Sequence, residues 1–318
     1  AVRQSLKYIS SQHPDLVLIL SGDQLYRMDF NRFAGYHLSS GADITIGTIP
    51  VTDSEASSLG IMKVGDDGII TEFREKPSGD ALESMKSAQK GTTEAKPYLG
   101  NMGIYMFTPK ILREVLEREP DVIDFGREII PNAIGSYRVT SFPFGGYWSD
   151  IGTISNFFRA NLDMAGPKPD FDLYRSFSPL YTSARALPGA RVNSCSCTDT
   201  IICDASDLEG ARLNRCVVGL RGKVRPGTVM EDCVFMGSDY WEGHYLDPRN
   251  HDPDLLPLGI GRDCRIRNAI IDKNARIGDG CRLENAEGVR EYTSDRYCIR
   301  DGIIVVPKNS MLEDGFVI

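Results

Sequence analysis

Ile-Arg-Asn-Ala-Ile-Ile-Asp-Lys-Asn-Ala-Arg-Ile-Gly-Asp-Gly-Cys-Arg-Leu, residues 266–283, places bulky apolar side chains at Ile266, Ile271, Ile277 and Leu283, one every five or six positions. A helix would repeat them at three and four, and a half-buried strand at two. A period near six, with small residues and glycine between as in Ile277-Gly278-Asp279-Gly280, belongs to a left-handed hexapeptide β-helix. The same rhythm runs upstream through Val218, Val224, Val229 and Phe235, and downstream through Val306, Leu312 and Val317, slipping by one in several coils. Residues 238–257 break it with a polar stretch rich in Asp and Pro that also holds His244 and His251, and this reads as a loop leaving the solenoid.

Before about Pro179 the chain has another character. Residues 16–20, Leu-Val-Leu-Ile-Leu, form an apolar run of strand length ending at Ser21-Gly22-Asp23. Such a run predicts a strand buried on both faces of a parallel sheet. A helix is expected over 30–40, a strand over 43–49, and a hairpin over 61–73 turning on Asp66-Asp67-Gly68. A strand over 101–107 and a helix over 109–118, with Pro109 in its first turn, complete the alternation. Strand–helix alternation implies a parallel or mixed sheet covered on both faces. The expected plan is an α/β domain over 1–165, a linker over 166–188 holding Pro167, Pro169, Pro179 and Pro188, and a β-helix over 189–318.

The 318 residues carry a net charge of -8, with 41% hydrophobic and 25% charged residues, as in a soluble globular protein. That balance offers no basic face for broad nucleic-acid binding. No apolar run reaches the length of a membrane span, and no signal peptide is visible. Eight cysteines all lie in the second half, and Cys195-x-Cys197 with Cys203 lacks a companion cluster of zinc spacing. Reduced, mostly buried thiols in a repetitive β structure are the expectation. The chain opens at Ala1, and residues 1–10 read as the tail of a helix with Val2, Leu6 and Ile9 on one face, as expected of a fragment or of a truncated relative.

Asp23 stands at the carboxyl end of a predicted buried strand, where ligands of open α/β sheets bind. A carboxylate there can hold Mg²⁺ against phosphate oxygens, although the position also suits a turn residue. Asp150, in Tyr-Trp-Ser-Asp-Ile-Gly-Thr (147–153), is a second such carboxylate or else an N-cap for the helix expected over 153–164, a duty that Thr153 can take instead. Glu75-Lys76-Pro77 closes the hairpin, and its ion pair of residues suits a sugar phosphate as well as a solvated turn. Gly60 would let backbone approach a ligand closely. The loop histidines His244 and His251 carry no clear chemistry, which counts against the acyltransferases that share the hexapeptide repeat.

Taken together, these segments resemble ADP-glucose pyrophosphorylases. The resemblance rests on Leu-Ile-Leu-Ser-Gly-Asp-Gln-Leu-Tyr-Arg-Met-Asp (18–29), Leu-Gly-Ile-Met-Lys-Val (59–64), Phe-Arg-Glu-Lys-Pro (73–77), Met-Gly-Ile-Tyr (102–105) and Asp-Phe-Gly-Arg-Glu-Ile-Ile-Pro (124–131). It continues through Tyr-Trp-Ser-Asp-Ile-Gly-Thr (147–153), Val-Val-Gly-Leu-Arg (217–221), Ala-Ile-Ile-Asp-Lys-Asn-Ala-Arg-Ile-Gly (269–278) and Asp-Gly-Ile-Ile-Val-Val (301–306). It implies a Rossmann-like nucleotidyltransferase domain, truncated at its N-terminus, followed by a left-handed parallel β-helix. It implies synthesis of ADP-glucose and diphosphate from ATP and α-D-glucose 1-phosphate with Mg²⁺, on the way to glycogen or starch.

By the same resemblance, Asp23 and Asp150 are catalytic and metal-holding residues. Gly60, Glu75, Lys76 and Asn101 bind glucose 1-phosphate, with Asn101 standing where the family has a serine. Lys273 and Lys308 match effector-binding lysines, against a plain reading as solvated lysines on a β-helix. A phosphorylated effector, a homo- or heterotetramer, and a bacterial cytoplasm or plastid stroma are implied. The Gly-Gly-Gly-x-Gly-Thr-Arg-Leu loop of the family is missing from residues 1–318, and Phe144-Gly145-Gly146 does not replace it, so an inactive chain is expected on its own. A regulatory subunit, or a pyrophosphorylase for another base or sugar, are the alternatives.

Overall fold

The computed structural model describes residues 2–87, 91–118, 122, 124–175, 179–242 and 255–318. Two compact units emerge, Ala1–Trp148 and Ser149–Ile318.

The first unit is built on a mixed sheet. Its strands are β1 (Val17–Leu20), β2 (Gln24–Tyr26), β3 (Ile44–Val51), β4 (Gly60–Val64), β5 (Ile70–Glu75), β6 (Tyr98–Phe107) and β7 (Val139–Pro143). The order is β5-β4-β6-β3-β7, with β1 also on β6 and β2 outside this sheet. Only β3 and β7 run parallel; β1–β6, β3–β6, β4–β5 and β4–β6 are all antiparallel. The parallel, doubly buried strand expected over 16–20 is therefore corrected. β1 pairs antiparallel and only Val17 of it is buried, while Leu20 is 43% exposed. An all-apolar run reports a preference for burial and carries no information about strand direction.

Helices Val2–Gln12 and Pro109–Arg118 cover one face of the sheet, where Leu112, Val115 and Leu116 join Ile44, Ile46, Phe107 and Val139. Val2, Leu6 and Ile9 pack at the margin of that cluster. Helix Phe30–Ser39 serves the other face through Phe33, against Met102, Ile104, Met106 and Phe142. Asp29 caps it by accepting from the Asn31 and Arg32 amides. Burying these apolar side chains at roughly 25 cal/mol per Å² is the main force holding the layers together. The hairpin turns where expected, with Gly68 at φ 81° and the Asp67 carboxylate accepting from the Ile69 amide.

The second unit opens with helix Ile154–Ala165, whose N-cap is Thr153. Phe158 and Leu162 of this helix pack on Val234, Ile270 and Ile303, the outward side chains of solenoid strands. Strands Ser196–Ile202, Arg212–Val218, Val229–Phe235 and Arg265–Ile271 then stack in parallel, in register. A second parallel row runs through Asp207–Glu209, Lys223–Val224, Gly259–Ile260, Arg276–Ile277 and Met311–Leu312. The seven-residue strands bend at left-handed residues, and Asp199, Arg215, Asp232 and Asn268 form one corner column at φ 45° to 53°.

Two members of the expected apolar stack face outward instead. Val229 is 38% exposed and Val317 65%. Met230 takes the interior place, in register with Leu213 and Ile266. A seven-residue strand bent at a corner shifts the inward position by one, and a fixed six-residue count misses this.

All eight cysteines are free. Cys216, Cys233, Cys264 and Cys281 are buried, as expected, but Cys197 is exposed. Cys216 and Cys233 are register partners on adjacent coils. The Cys264 and Cys281 thiols also meet across a coil boundary. Among the described residues, no group of three or more His, Cys, Asp or Glu is placed to hold a metal, and no helix is long and apolar enough to cross a membrane. Most of the 238–257 insertion, including His244 and His251, lies outside the described residues.

Candidate functional site

In the first unit, the hairpin end and the middle of β6 converge. Gly60 and Glu75 are register partners across β4 and β5. A Cβ on Gly60 would strike the Phe73 ring and lie 2.9 Å from Glu75 Oε2. A Cβ on Gly126 would come within 3.4 Å of the same oxygen. Two glycines thus make room around one carboxylate. Glu75 is half-buried, and among the described residues its carboxylate has no hydrogen-bond partner. Next to it, Lys76 is exposed at φ 48°, and its amide donates to the Leu59 carbonyl at 2.9 Å. A lysine gains nothing from left-handed backbone, so its conformation is set by the surrounding turn.

Asn101 shapes the neighbouring strand. Between Tyr105 and Asn101, β6 carries extra residues opposite the Ile46–Thr48 step of β3, so the register shifts there. The Asn101 side chain spans this bulge. Its oxygen accepts from the Gly103 amide at 2.9 Å and its nitrogen donates to the Tyr105 hydroxyl at 2.7 Å. One amide hydrogen is left over for a ligand. Burial pushes the Tyr105 phenol up to about 12, with Glu75 and Asp124 adding to the rise and the Asn101 contact opposing it. Tyr105 therefore stays a neutral hydroxyl beside Glu75.

The bulge also fixes the turn that carries Asp23. The Ser21 amide donates to the Gly103 carbonyl at 3.1 Å and its hydroxyl at 3.3 Å. Gly103 has φ 66°, and a Cβ there would collide with the Ser21 hydroxyl and come within 2.7 Å of the Gln24 amide nitrogen. Gln24 in turn accepts from the Trp148 indole at 3.3 Å. Asp23 stands exposed in this anchored turn, with no hydrogen bond of its own among the described residues.

A donor set of this kind suits Mg²⁺ delivered with phosphates, which uses one or two protein carboxylates and keeps its other positions for phosphate and water. It does not suit a resident all-protein metal cage. Asp150 belongs to the second unit. One of its oxygens accepts from the Gly152 amide at 2.8 Å, and Thr153 does the capping that Asp150 was otherwise suited for.

The two lysines of the second unit come together as well. Lys273 Nζ and Lys308 Nζ lie 3.0 and 2.6 Å from the two oxygens of Asp239.

Two family models match this sequence. One, described as nucleotidyl transferase, covers residues 1–166, and the other, the GLGC left-handed parallel β-helix domain, covers residues 185–317. The chain belongs to the nucleotidyl transferase family and is an ADP-glucose pyrophosphorylase-like protein. In this ADP-glucose pyrophosphorylase-like chain, Gly60, Glu75, Lys76 and Asn101 share one neighbourhood with the Asp23 turn. Sequence reasoning missed Tyr105, Gly103, Asp124 and Asp239. A glycine inside a strand pattern signals a bulge, so Gly103 was detectable in principle. Asp124 looks like a turn acid, and it does cap the turn Phe125–Ile129 through the Arg127 amide.

Proposed function

We propose that this nucleotidyltransferase makes ADP-glucose, joining ATP and α-D-glucose 1-phosphate and releasing diphosphate. The observation that supports this reading is the half-buried, unpartnered Glu75 carboxylate, bracketed by glycines and followed by Lys76. A partly desolvated carboxylate needs donors, and sugar hydroxyls supply them. Lys76 offsets the phosphate charge, while Asn101 and the neutral Tyr105 offer further hydrogen bonds to the sugar. In the reaction, a glucose 1-phosphate oxygen bonds to the α-phosphorus of ATP as the bond to the β-phosphate oxygen breaks, and diphosphate leaves with that electron pair.

Asp23 would hold Mg²⁺, which when bound offsets charge on the phosphates. The role read from sequence for Asp150 remains part of this proposal, as do a phosphoryl effector at Lys273 and Lys308 and assembly as a tetramer. The test is calorimetric binding of glucose 1-phosphate to this chain. Diphosphate release from ATP and Mg²⁺ is measured on a version that carries the Gly-rich section upstream, since this chain on its own is expected to be inactive. Lys76→Ala and Glu75→Gln should each weaken glucose 1-phosphate binding by about tenfold or more, in line with loss of a charged hydrogen bond. Equal affinity in wild type and both variants, or tighter binding of galactose 1-phosphate, would overturn the reading.

A further inference from the structure

Where the insertion leaves the solenoid, residues 238–242 form a short arm carrying two carboxylates, each gripped by a pair of cations. Glu242 is the inner grip. It accepts from Arg276 at 2.8 Å and from the Leu258 amide at 2.7 Å, with Arg225 at 4.0 Å. The two guanidinium side chains are only 7% and 16% exposed. Asp239 is the outer grip. It accepts from Lys308 at 2.6 Å, Lys273 at 3.0 Å and Asn274 at 3.2 Å. Its own amide donates to Asn274 at 2.8 Å. Here the lysine side chains are 39% and 48% exposed.

The two grips differ in what opening them costs. The two carboxylates are similarly exposed, Glu242 33% and Asp239 36%, so the difference lies in their cations. Opening the Glu242 grip strands two nearly buried guanidinium charges and is strongly unfavourable. Breaking an exposed lysine–carboxylate pair costs little, because water re-solvates both partners. An anion arriving from solvent can therefore compete for the lysines of Asp239 while Glu242 keeps the arm attached. The lysines converge on a single monovalent carboxylate, and a phosphoryl group brings three oxygens and nearly twice the charge.

We propose that Asp239 is a built-in counter-anion, occupying the Lys273–Lys308 pair until a phosphoryl dianion displaces it, so that this one carboxylate sets the affinity of the site. The inference rests on the reading of these lysines as an anion site and adds the group that competes there. Ligand binding exchanges one anion for another, and the side chain of Asp239 is released to solvent while Asn274 still holds its backbone. The Lys308 and Lys273 ammonium groups hold the Asp239 carboxyl down to about 2, so it remains a charged competitor at any physiological pH.

The experiment is isothermal titration of the full chain with inorganic phosphate and, in a second arm, with a simple phosphate monoester, glycerol 3-phosphate. Asp239→Asn should bind about threefold to tenfold tighter than wild type, as expected for removing a competitor held by two exposed ion pairs. Asp239→Ser reads the same way should the amide disturb the arm. Lys273→Ala and Lys308→Ala should weaken binding in either background. A gain with either probe supports the proposal, and the probe with the larger gain tells free from esterified phosphate. Equal or weaker binding by both Asp239 variants, with Lys308→Ala still weaker than wild type, overturns the counter-anion and leaves the lysine site standing. Absence of binding in every variant overturns both.

Discussion

Left-handed backbone means different things in the two units. In the solenoid it is architectural. Ser194, Asp199, Ala205, Arg215, Arg221, Asp232, Asp263, Asn268, Asn274, Asn285 and Asn309 all adopt positive φ at corners that recur from coil to coil, and Asp301 does so in the hairpin turn between Cys298–Arg300 and Ile303–Val306. In the first unit, among the described residues other than glycine, only His13 and Lys76 do so. His13 follows the end of a helix. Lys76 follows Glu75 at the candidate sugar-phosphate site. A conformation that costs roughly 1–2 kcal/mol is repeated at solenoid corners, where stacking repays it, and is isolated in the α/β unit, where it positions one cation. Periodic strain points to a fold, whereas solitary strain beside an open carboxylate points to a ligand.

The largest expected effect would show how separate the two logics are. Phe235→Ala removes a fully buried side chain from the solenoid interior and should cost about 3–5 kcal/mol in denaturant unfolding. Glucose 1-phosphate affinity should not change. If affinity falls in step with stability, the units are not independent and the comparison breaks.

A smaller effect probes Lys76 directly. Lys76→Gly relieves left-handed strain and should leave the protein about 0.5–1 kcal/mol more stable, while glucose 1-phosphate binding weakens. At a solenoid corner, Asn274→Gly should instead destabilise, since the Asn274 side chain bonds Asp239 and Asn309. Stabilisation at both positions would dissolve the distinction.

The smallest effect concerns buried polar groups. The α/β unit runs hydroxyls and an imidazole through its core: His37 meets Thr45 at 2.8 Å and Thr108 at 3.3 Å, and Thr45 meets Thr140 at 3.1 Å. Burial holds the His37 pKa below its ordinary value, with Asp43 pulling the other way. The unfolded chain then binds more protons as pH falls below about 6.5, so stability is full above that pH and declines beneath it. Melting temperatures from pH 7.5 to 5 should show this slope, and His37→Gln should flatten the part that His37 contributes. An unchanged profile in the variant would remove His37 from the account.

Much of this could be read from sequence where the signal is local. The Pro109–Arg118 helix, the Asp66-Asp67-Gly68 turn and the Thr153 cap follow from residues within one turn of each other. The solenoid period was visible too, except where a bent strand put Met230 inside in place of Val229. What sequence withheld were pairings. The antiparallel direction of β1 is set by its partner β6, far along the chain. The Asn101–Tyr105 bridge needs a register shift that no composition reveals. The Asp239 grip joins residues 34 and 69 positions apart, and a lone aspartate in a polar insertion gives no hint of it.

The buried thiols carry a consequence of their own. Cys216, Cys233, Cys264 and Cys281 sit one after another along the solenoid axis, each shielded by its own coil, while Cys197 near the start is open to solvent. Since each turn of a solenoid leans only on its neighbours, a small alkylating reagent would reach these sulfurs in the order in which the turns breathe apart. The protein thereby keeps a chemical calendar of its own opening, with one buried mark on each of these four turns and Cys197 as a first page already exposed.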